Sequence, residues 1–579
     1  MATSQKDMML LAKILSRSDA PRGTLGRLIG AYGASRALGV FKKDPFKVLK
    51  EAGASLEMAD RAAVLIKSSL RHRIQGHAEW VLASKPMTLS MLVMKIRFSL
   101  ELPDSTVRNV MMKIFDDGDL VQLESSVVTR ELYEKNTYVA DQIRLRSGSS
   151  RHSTLASVIS TIQNVTDDQK RALHNVAHHK LSIITGGPGT GKSHIIRELV
   201  SKFPNSRVTA PTGRAARNAS GKTVHYFKTI QETGTNEFTG VDLIVVDESS
   251  MLSTMLFWNV LQMASSDAHI VLVGDVDQLP PIDSGDVLYD LIDSGLVPTT
   301  TLQTNHRCSQ SIQECAKAVL EGRMNIPEDS GIEIVECDTF DEIIEKIPTL
   351  NLLDDIDRFD ASVILTPHNA TRISLNKAVQ LWRWASENPV DVALITPFPD
   401  APVGTRASAA ATTDNKICVH GEHYTEFTAS LPAAIKMIKI HERTFGSTKT
   451  EADCVLVTGD KVIVTKNTPD VCNGDMGMFI YHRTISMDDD NRVNIPKISD
   501  TDPGMTLAYA VTIHKAQGSE FDRVILPITN TAAWDRSLLY TALTRARHKI
   551  VLLGTRDDFE RIITTVRPRR SSILHDLLQ

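Results

Sequence analysis

Thr185-Gly186-Gly187-Pro188-Gly189-Thr190-Gly191-Lys192-Ser193 decides how the rest of the chain is read. Its spacing is Gly-x-x-x-x-Gly-Lys-Ser, and each part of that spacing has a physical use. Glycines let backbone N–H groups converge on phosphate oxygens, and the N-terminus of a following helix adds positive potential. Lys192 can reach the outer phosphates, and the Ser193 hydroxyl suits a magnesium ion. The context fits this use. The apolar run Leu181 to Ile184 reads as a buried strand, and His194 to Phe203 as a helix with Ile195, Ile196 and Leu199 at helical spacing. A nucleoside triphosphate is the expected ligand, with Gly186, Gly187, Pro188, Gly189, Thr190, Gly191, Lys192 and Ser193 around its phosphates.

Upstream, Thr166-Asp167-Asp168-Gln169-Lys170 opens a helix. A carboxamide there can pair with both a donor and an acceptor on adenine, so Gln169 points to ATP. Downstream, Leu243-Ile244-Val245-Val246 runs into Asp247-Glu248, a buried strand ending in two carboxylates. Asp247 is placed to hold magnesium and Glu248 to orient an attacking water. His269 to Val273 is a further strand, and the loop after it carries Gln278, where a polar side chain can sense the outermost phosphate.

Other strand ends suit a sugar-phosphate chain. Pro211, Thr212, Gly213 and Arg214 follow one strand, and His225 follows a short linker. Spacing alone does not separate backbone contact from ordinary turn chemistry there. Thr512, His514 and Lys515 offer a hydroxyl, a ring and a charge, while Gly518 and Glu520 can face the nucleotide.

The bulk numbers limit the choices. A chain of 579 residues is too long for one core. With 65 basic against 69 acidic residues the net charge is −4, so any nucleic-acid contact must use local basic surface. Six cysteines without a Cys-x-x-Cys pair indicate neither a zinc site nor a disulfide framework. No apolar stretch is long enough for a bilayer, no signal-peptide layout opens the chain, and a reducing cytoplasm is the expected compartment.

Residues 1–150 read as mostly helical, with a proline-started helix at Asp44-Pro45 and a possible hairpin over Leu120 to Arg130. Arg144 to Thr154 reads as a linker, and Pro399 to Asp414 as a loop. Short strands with tight turns are expected at Gly459 to Asn467 and around Asn473-Gly474-Asp475-Met476-Gly477. The basic Arg567-Pro568-Arg569-Arg570 reads as a solvated run.

The phosphate loop, then Val245-Val246-Asp247-Glu248-Ser249-Ser250-Met251, then Gly274-Asp275-Val276-Asp277-Gln278-Leu279-Pro280-Pro281, resemble the motifs of superfamily-1 helicases, and their wording resembles the RecD-like branch. Leu507 to Phe521 is similar to that family's fifth motif, and Leu538-Leu539-Tyr540-Thr541-Ala542-Leu543-Thr544-Arg545-Ala546-Arg547 to its last. The resemblance implies an α/β fold of two RecA-like motor domains with parallel sheets, at 151–325 and 326–579, behind the helical domain at 1–150. It also implies a small SH3-like β-barrel insertion at about 391–505, and a short strand-splitting hairpin at about 226–240. Arg307 would touch the γ-phosphate at the domain junction, and Arg545 would be the arginine finger. The N-terminal helix pair resembles a helix-hairpin-helix, but its turn is Gly53-Ala54-Ser55 where the family carries Gly-x-Gly.

The implied activity is 5′→3′ ATP-dependent translocation on single-stranded DNA, with unwinding at single-strand/duplex junctions. Implied partners are replication or recombination proteins, and none is a membrane. The residues alone leave two other readings open: an RNA helicase of a related branch, and a DNA-binding clamp with a vestigial motor.

Overall fold

The apolar runs around the phosphate loop build the sheet they predict. The computed structural model describes residues 2–579 except 21–22, 84–85, 125, 149–158, 160–161, 163–164, 236, 304–309, 325, 327–330, 351–360, 388, 397–402, 404–405, 422–426, 441–447, 450–454, 469, 482, 488–491, 496–503, 529–530, 568 and 570–571. Leu181–Thr185 lies between His269–Gly274 and Thr299–Thr301. Beyond His269–Gly274 come Leu243–Val246, Ser206–Ala210 and Lys222–Thr223, and every neighbouring pair is parallel. Parallel strands are covered by helices on both faces, so their sequences are apolar throughout. Every residue of Leu181–Thr185, Leu243–Val246 and His269–Gly274 is accordingly buried.

The register sets up the site. Thr185 pairs with Gly274, and Val246 with Leu272. The loops that leave these three neighbouring strands therefore emerge side by side at the carboxyl edge, where open α/β sheets bind ligands. A second parallel sheet runs in the order Ala510–Thr512, Ser362–Thr366, Phe521–Pro527, Ala546–Leu553, Ile332–Val335. These two parallel sheets are the centres of a first and a second lobe.

The insertion in the second lobe is β-rich, as expected; among the described residues it comprises two antiparallel sheets of five strands each and a short pair, Thr448–Lys449 with Val455–Leu456. One is built from strands between Val390–Leu394 and Ile438–Ile440, the other from strands between Lys461–Val464 and Met505–Leu507. The stretch read as a loop contains the strand Arg406–Ala411, paired on both sides. Alanine favours strands little, which hid it. Ala407 and Ala409 are buried in one cluster with Leu375 and Ala378 of the long helix Asn369–Glu387.

A buried polar knot fixes this insertion to its lobe. The fully buried Asp460 accepts hydrogen bonds from Val457 N (2.7 Å), Trp384 Nε1 (2.9 Å), Tyr509 OH (2.9 Å) and Gln380 Nε2 (2.5 Å). Arg383 Nη1 in turn donates to the Tyr509 oxygen at 2.9 Å. Burial pushes the Asp460 carboxyl above its ordinary value, against the pull of these donors. Asp460→Ala would leave Val457 N, Trp384 Nε1 and Tyr509 OH without their acceptor, while Gln380 Nε2 keeps Val455 O at 2.7 Å. It is expected to cost about 3–5 kcal/mol of stability, read as a shift of the urea unfolding midpoint.

The N-terminal region is helical. Asp44, Ser55, Ser69, Thr88 and Thr129 each cap a helix by accepting a backbone N–H. Leu120–Gln122 and Val127–Thr129 form the expected hairpin. The linker reading fails for Arg144 to Ser147, which ends the helix Arg130–Ser147. Val139, Ala140 and Ile143 of this helix sit in the first lobe's core. Arg146 is buried and donates to Ser265 O and Ala268 O at 2.8 and 2.9 Å. Residues 149–158 lie outside the described ones.

The strand hairpin expected at 226–240 is not present among the described residues. Val224–Glu232 is a helix, followed by turns. Phe227 and Phe238 are buried edge to face, ring centres 4.8 Å apart, which folds the segment back on itself. Among the described residues no helix is long and apolar enough to cross a membrane.

Candidate nucleotide cleft between the two lobes

The phosphate loop has the backbone its glycines permit. Gly189 and Gly191 take φ of 76° and 88°, and Gly191 caps the helix Lys192–Lys202. Gly186 is needed for space, since a Cβ there would lie 2.8 Å from Leu302 O and 2.9 Å from Thr190 Oγ1. Lys192 Nζ donates to Gly186 O and Gly187 O at 2.6 and 2.8 Å, so the ammonium is held over the loop.

Asp247 and Glu248 stand beside it. Burial, with Glu248 close by, pushes the Asp247 carboxyl up to about 7, against the pull of Lys192. Glu248 has φ 51° and ψ 43°, a left-handed conformation uncommon for a residue with a side chain. Such outliers are kept where surrounding structure imposes them, often at functional positions. Gln278 is buried, with its Nε2 donating to Asp275 Oδ2 at 3.1 Å and its Oε1 lacking a partner. A buried acceptor left open costs free energy unless a ligand or water fills it.

A cleft of about 760 Å³ joins these groups to the second lobe. Its lining includes Gln169, Pro188, Gly189, Gly191, Lys192, Ser193, Asp247, Glu248 and Gln278 from one side, and Gly518, Glu520, Arg545 and Arg547 from the other. Arg545 is nearly fully buried, donating to Thr541 O, Ser519 O and Thr544 Oγ1 at 3.2–3.3 Å. Direct bonds hold the lobes together around the cleft. Tyr540 OH donates to Asp275 Oδ2 (2.9 Å), Leu279 N to Thr541 Oγ1 (3.1 Å), and Asn218 Nδ2 to Gly518 O (2.9 Å). Arg217 pairs with the buried Asp475 at 2.6 Å, tying the first lobe to the insertion.

The remaining predicted residues fall as follows. Gln169 lines the cleft, but its Oε1 also accepts from Thr166 N at 3.0 Å in a capping box. Thr190 Oγ1 donates to Gly187 O within the loop. Arg214 lines the nucleotide cleft, its guanidinium 5.9 Å from the Phe521 ring centre. Gly213 packs against Cys472, where a Cβ would come within 2.3 Å of the Cys472 Cβ. Thr212 and Thr512 cap short helices with their hydroxyls. His225 and Lys515 are exposed, Pro211 is half-buried, and His514 is half-buried with its ring pushed toward the neutral form by burial. Arg307 lies outside the described residues.

Known proteins resemble the chain over both lobes. A model described as an AAA domain matches residues 164–336, and one described as a UvrD-like helicase C-terminal domain matches 507–553. The ATP-dependent RecD2 DNA helicase of Deinococcus radiodurans is 26% identical over 437 residues, covering 71% of this chain and 52% of its own. The RecD subunit of the RecBCD enzyme of Mycolicibacterium smegmatis is 24% identical over 508 residues, covering 76% and 78%. The chain is similar to RecD helicases over about three quarters of its length.

This RecD-like chain spans about half the length of the Deinococcus relative. A crystal structure of Pif1 helicase from Bacteroides in complex with ADP-AlF3 and single-stranded DNA shares 17% identity, with TM-score 0.44, over 70% of the RecD-like chain and 95% of its own. Several residues of the cleft escaped the sequence reading. Asn218 and Arg217 act through partners 300 and 258 positions away, and no local pattern marks them; Tyr540 and Thr541 fall within the last motif, but their partners lie 265 and 262 positions away.

Proposed function

We propose that this chain is an ATP-dependent DNA helicase that moves 5′→3′ on single-stranded DNA and opens duplexes at single-strand junctions. The observation that carries it is the composition of one cleft: Lys192, Asp247, Glu248 and Gln278 come from the first lobe and Arg545 from the second. Phosphoryl transfer is catalysed by positioning and by charge placed where negative charge develops. When triphosphate bridges the lobes, Lys192 and Arg545 hold its outer oxygens from opposite sides. Glu248 orients the attacking water, and the open Oε1 of Gln278 offers that water an acceptor. Loss of the γ-phosphate removes the bridge and lets the cleft open. Loops around His225 and around His514 and Lys515 then move relative to each other along the strand.

Magnesium fits the site. Ser193 and Asp247 would hold it, and a cation would stabilise the ionised Asp247 that burial otherwise disfavours. Among the described residues no cluster of three or more His, Cys, Asp or Glu could hold a metal alone. That suits an ion taken up with substrate phosphates and one or two protein ligands. When bound it neutralises charge on the phosphates.

We read the domains as 1–150, 151–325 and 326–579, and the sheet between Lys461–Val464 and Met505–Leu507 as an SH3-like module lying against DNA. The cytoplasm is the compartment this reading requires, and replication or recombination proteins are the partners it suggests. The test is unwinding of duplexes bearing either a 5′ or a 3′ single-stranded DNA tail, with ATP turnover measured beside it on single-stranded DNA and RNA. Unwinding only from the 5′ tail, with turnover raised by DNA, is expected. Preference for a 3′ tail sinks the polarity, stimulation by RNA alone sinks the DNA assignment, and a flat response to both sinks the motor.

A further inference from the structure

The chain does not end on the lobe it has just completed. After Arg556–Thr564 of the second lobe it crosses back, and its last helix, Ile573–Leu578, docks on the first lobe. Leu574 and Leu578 are buried there beside Ile143, Leu288 and Leu291. Between these helices the run read as solvated is engaged. Arg567 pairs with Asp535 at 3.3 Å, and Arg569 pairs with Asp286 at 2.7 Å. The Arg569 guanidinium also lies 4.3 Å from the Tyr289 ring centre and donates through Nη2 to the carbonyl of Val276. Ser572 Oγ donates to Asp290 Oδ2 at 2.5 Å.

Val276 is inside the loop that carries Gln278. That loop is internally tied: Asp277 N donates to Asp275 Oδ1 at 3.1 Å, and Gln278 N to Asp275 O at 3.2 Å. Tyr540 and Thr541 hold its two ends from the second lobe. Arg569 supplies a further hold, and the planar fork of a guanidinium suits it. One nitrogen engages Asp286 at the start of the helix Val287–Ser294, and another the loop carbonyl, so helix and loop are clamped together.

We propose that Arg569 is a positioning residue for ATP turnover, fixing the Asp275–Gln278 loop so that Gln278 keeps its place in the cleft wall. This rests on the proposed ATP hydrolysis, deepens it, and is testable apart from it. Arg569 touches no reacting atom. Its effect passes through the Val276 carbonyl, so its loss loosens the loop while the phosphate loop is left as it is.

The experiment compares wild type, Arg569→Ala and Arg569→Lys as full-length chains, by hydrogen exchange and by steady-state ATP turnover on single-stranded DNA. In Arg569→Ala, exchange at the amides of 276–279 is expected to rise about 10-fold while that of 187–193 stays unchanged. Turnover is expected to fall about 10- to 100-fold with KM for ATP within about 2-fold, the signature of a misplaced group. Arg569→Lys keeps a cation for Asp286 but lacks the fork, and should recover part of both effects. Unchanged exchange at 276–279 in Arg569→Ala overturns the proposal, whether or not the wild type turns over ATP. So does a loss in which kcat and KM worsen together and lysine restores nothing, since that marks general loosening. A wild type without turnover sinks the proposed function but leaves the exchange readout to decide on Arg569. Should Arg569→Ala not fold, Asp286→Asn, which weakens the same clamp from the other side, is read by the same exchange measurement.

Discussion

Lys192→Ala abolishes ATP turnover and leaves the fold intact. The expected drop is about 10³-fold or more, the scale seen when a preorganised charge facing developing phosphate charge is removed. The reason is local. Lys192 Nζ is held by the carbonyls of Gly186 and Gly187 at the cleft wall, where a triphosphate's outer oxygens would compete for it. Its removal strips the loop of its formal positive charge and leaves only backbone amides. The side chain is half-buried and supports no core contact, so stability should stay within about 0.5 kcal/mol of wild type. Turnover and the thermal melt are measured on one preparation. Hydrolysis that persists there would mean that the phosphates bind elsewhere.

Arg545→Ala separates binding from chemistry. Turnover is expected to fall about 10³-fold, with affinity for ATP reduced far less, because an arginine finger acts on charge that develops during transfer. Arg545 lines the same cleft as Lys192 from the other lobe, with its guanidinium braced by Thr541 O, Ser519 O and Thr544 Oγ1, and the proposed role as a finger rests on that position. Arg545→Lys should not restore activity, since an ammonium cannot both keep those braces and reach the phosphate as a fork. Equilibrium titration with ATP and single-turnover hydrolysis together decide it. Equal loss of affinity and rate would show a residue that merely binds substrate.

The two parallel sheets and the loops at their carboxyl edges were legible in the sequence because their signals are local and strict. Buried parallel strands must be apolar, phosphate loops must have glycine where φ is positive, and carboxylates must follow the strand that presents them. Thus Leu181–Thr185, Asp247 with Glu248, and the Gln278 loop were all legible. What was not legible depended on distant partners. The basic run near the C-terminus looks solvated until Asp535 and Asp286 are seen beside it. Arg144 to Ser147 looks like a linker until the carbonyls of Ser265 and Ala268 receive Arg146. Arg214 reads with its neighbours as a backbone contact, and that it also lines the cleft shows only once its helix is folded. The strand Arg406–Ala411 was hidden by alanine, whose small side chain is needed under a neighbouring helix but signals nothing by itself.

The last helix docking beside Arg130–Ser147 has a mechanical meaning. Apart from the bonds across the cleft, the backbone joins the second lobe to the first at two points, one after Thr299–Thr301 and one between Thr564 and Ile573. Two such tethers limit how far the lobes can part. On the proposed cycle an emptied cleft would therefore gape only as far as both tethers allow, and the same two faces would meet again.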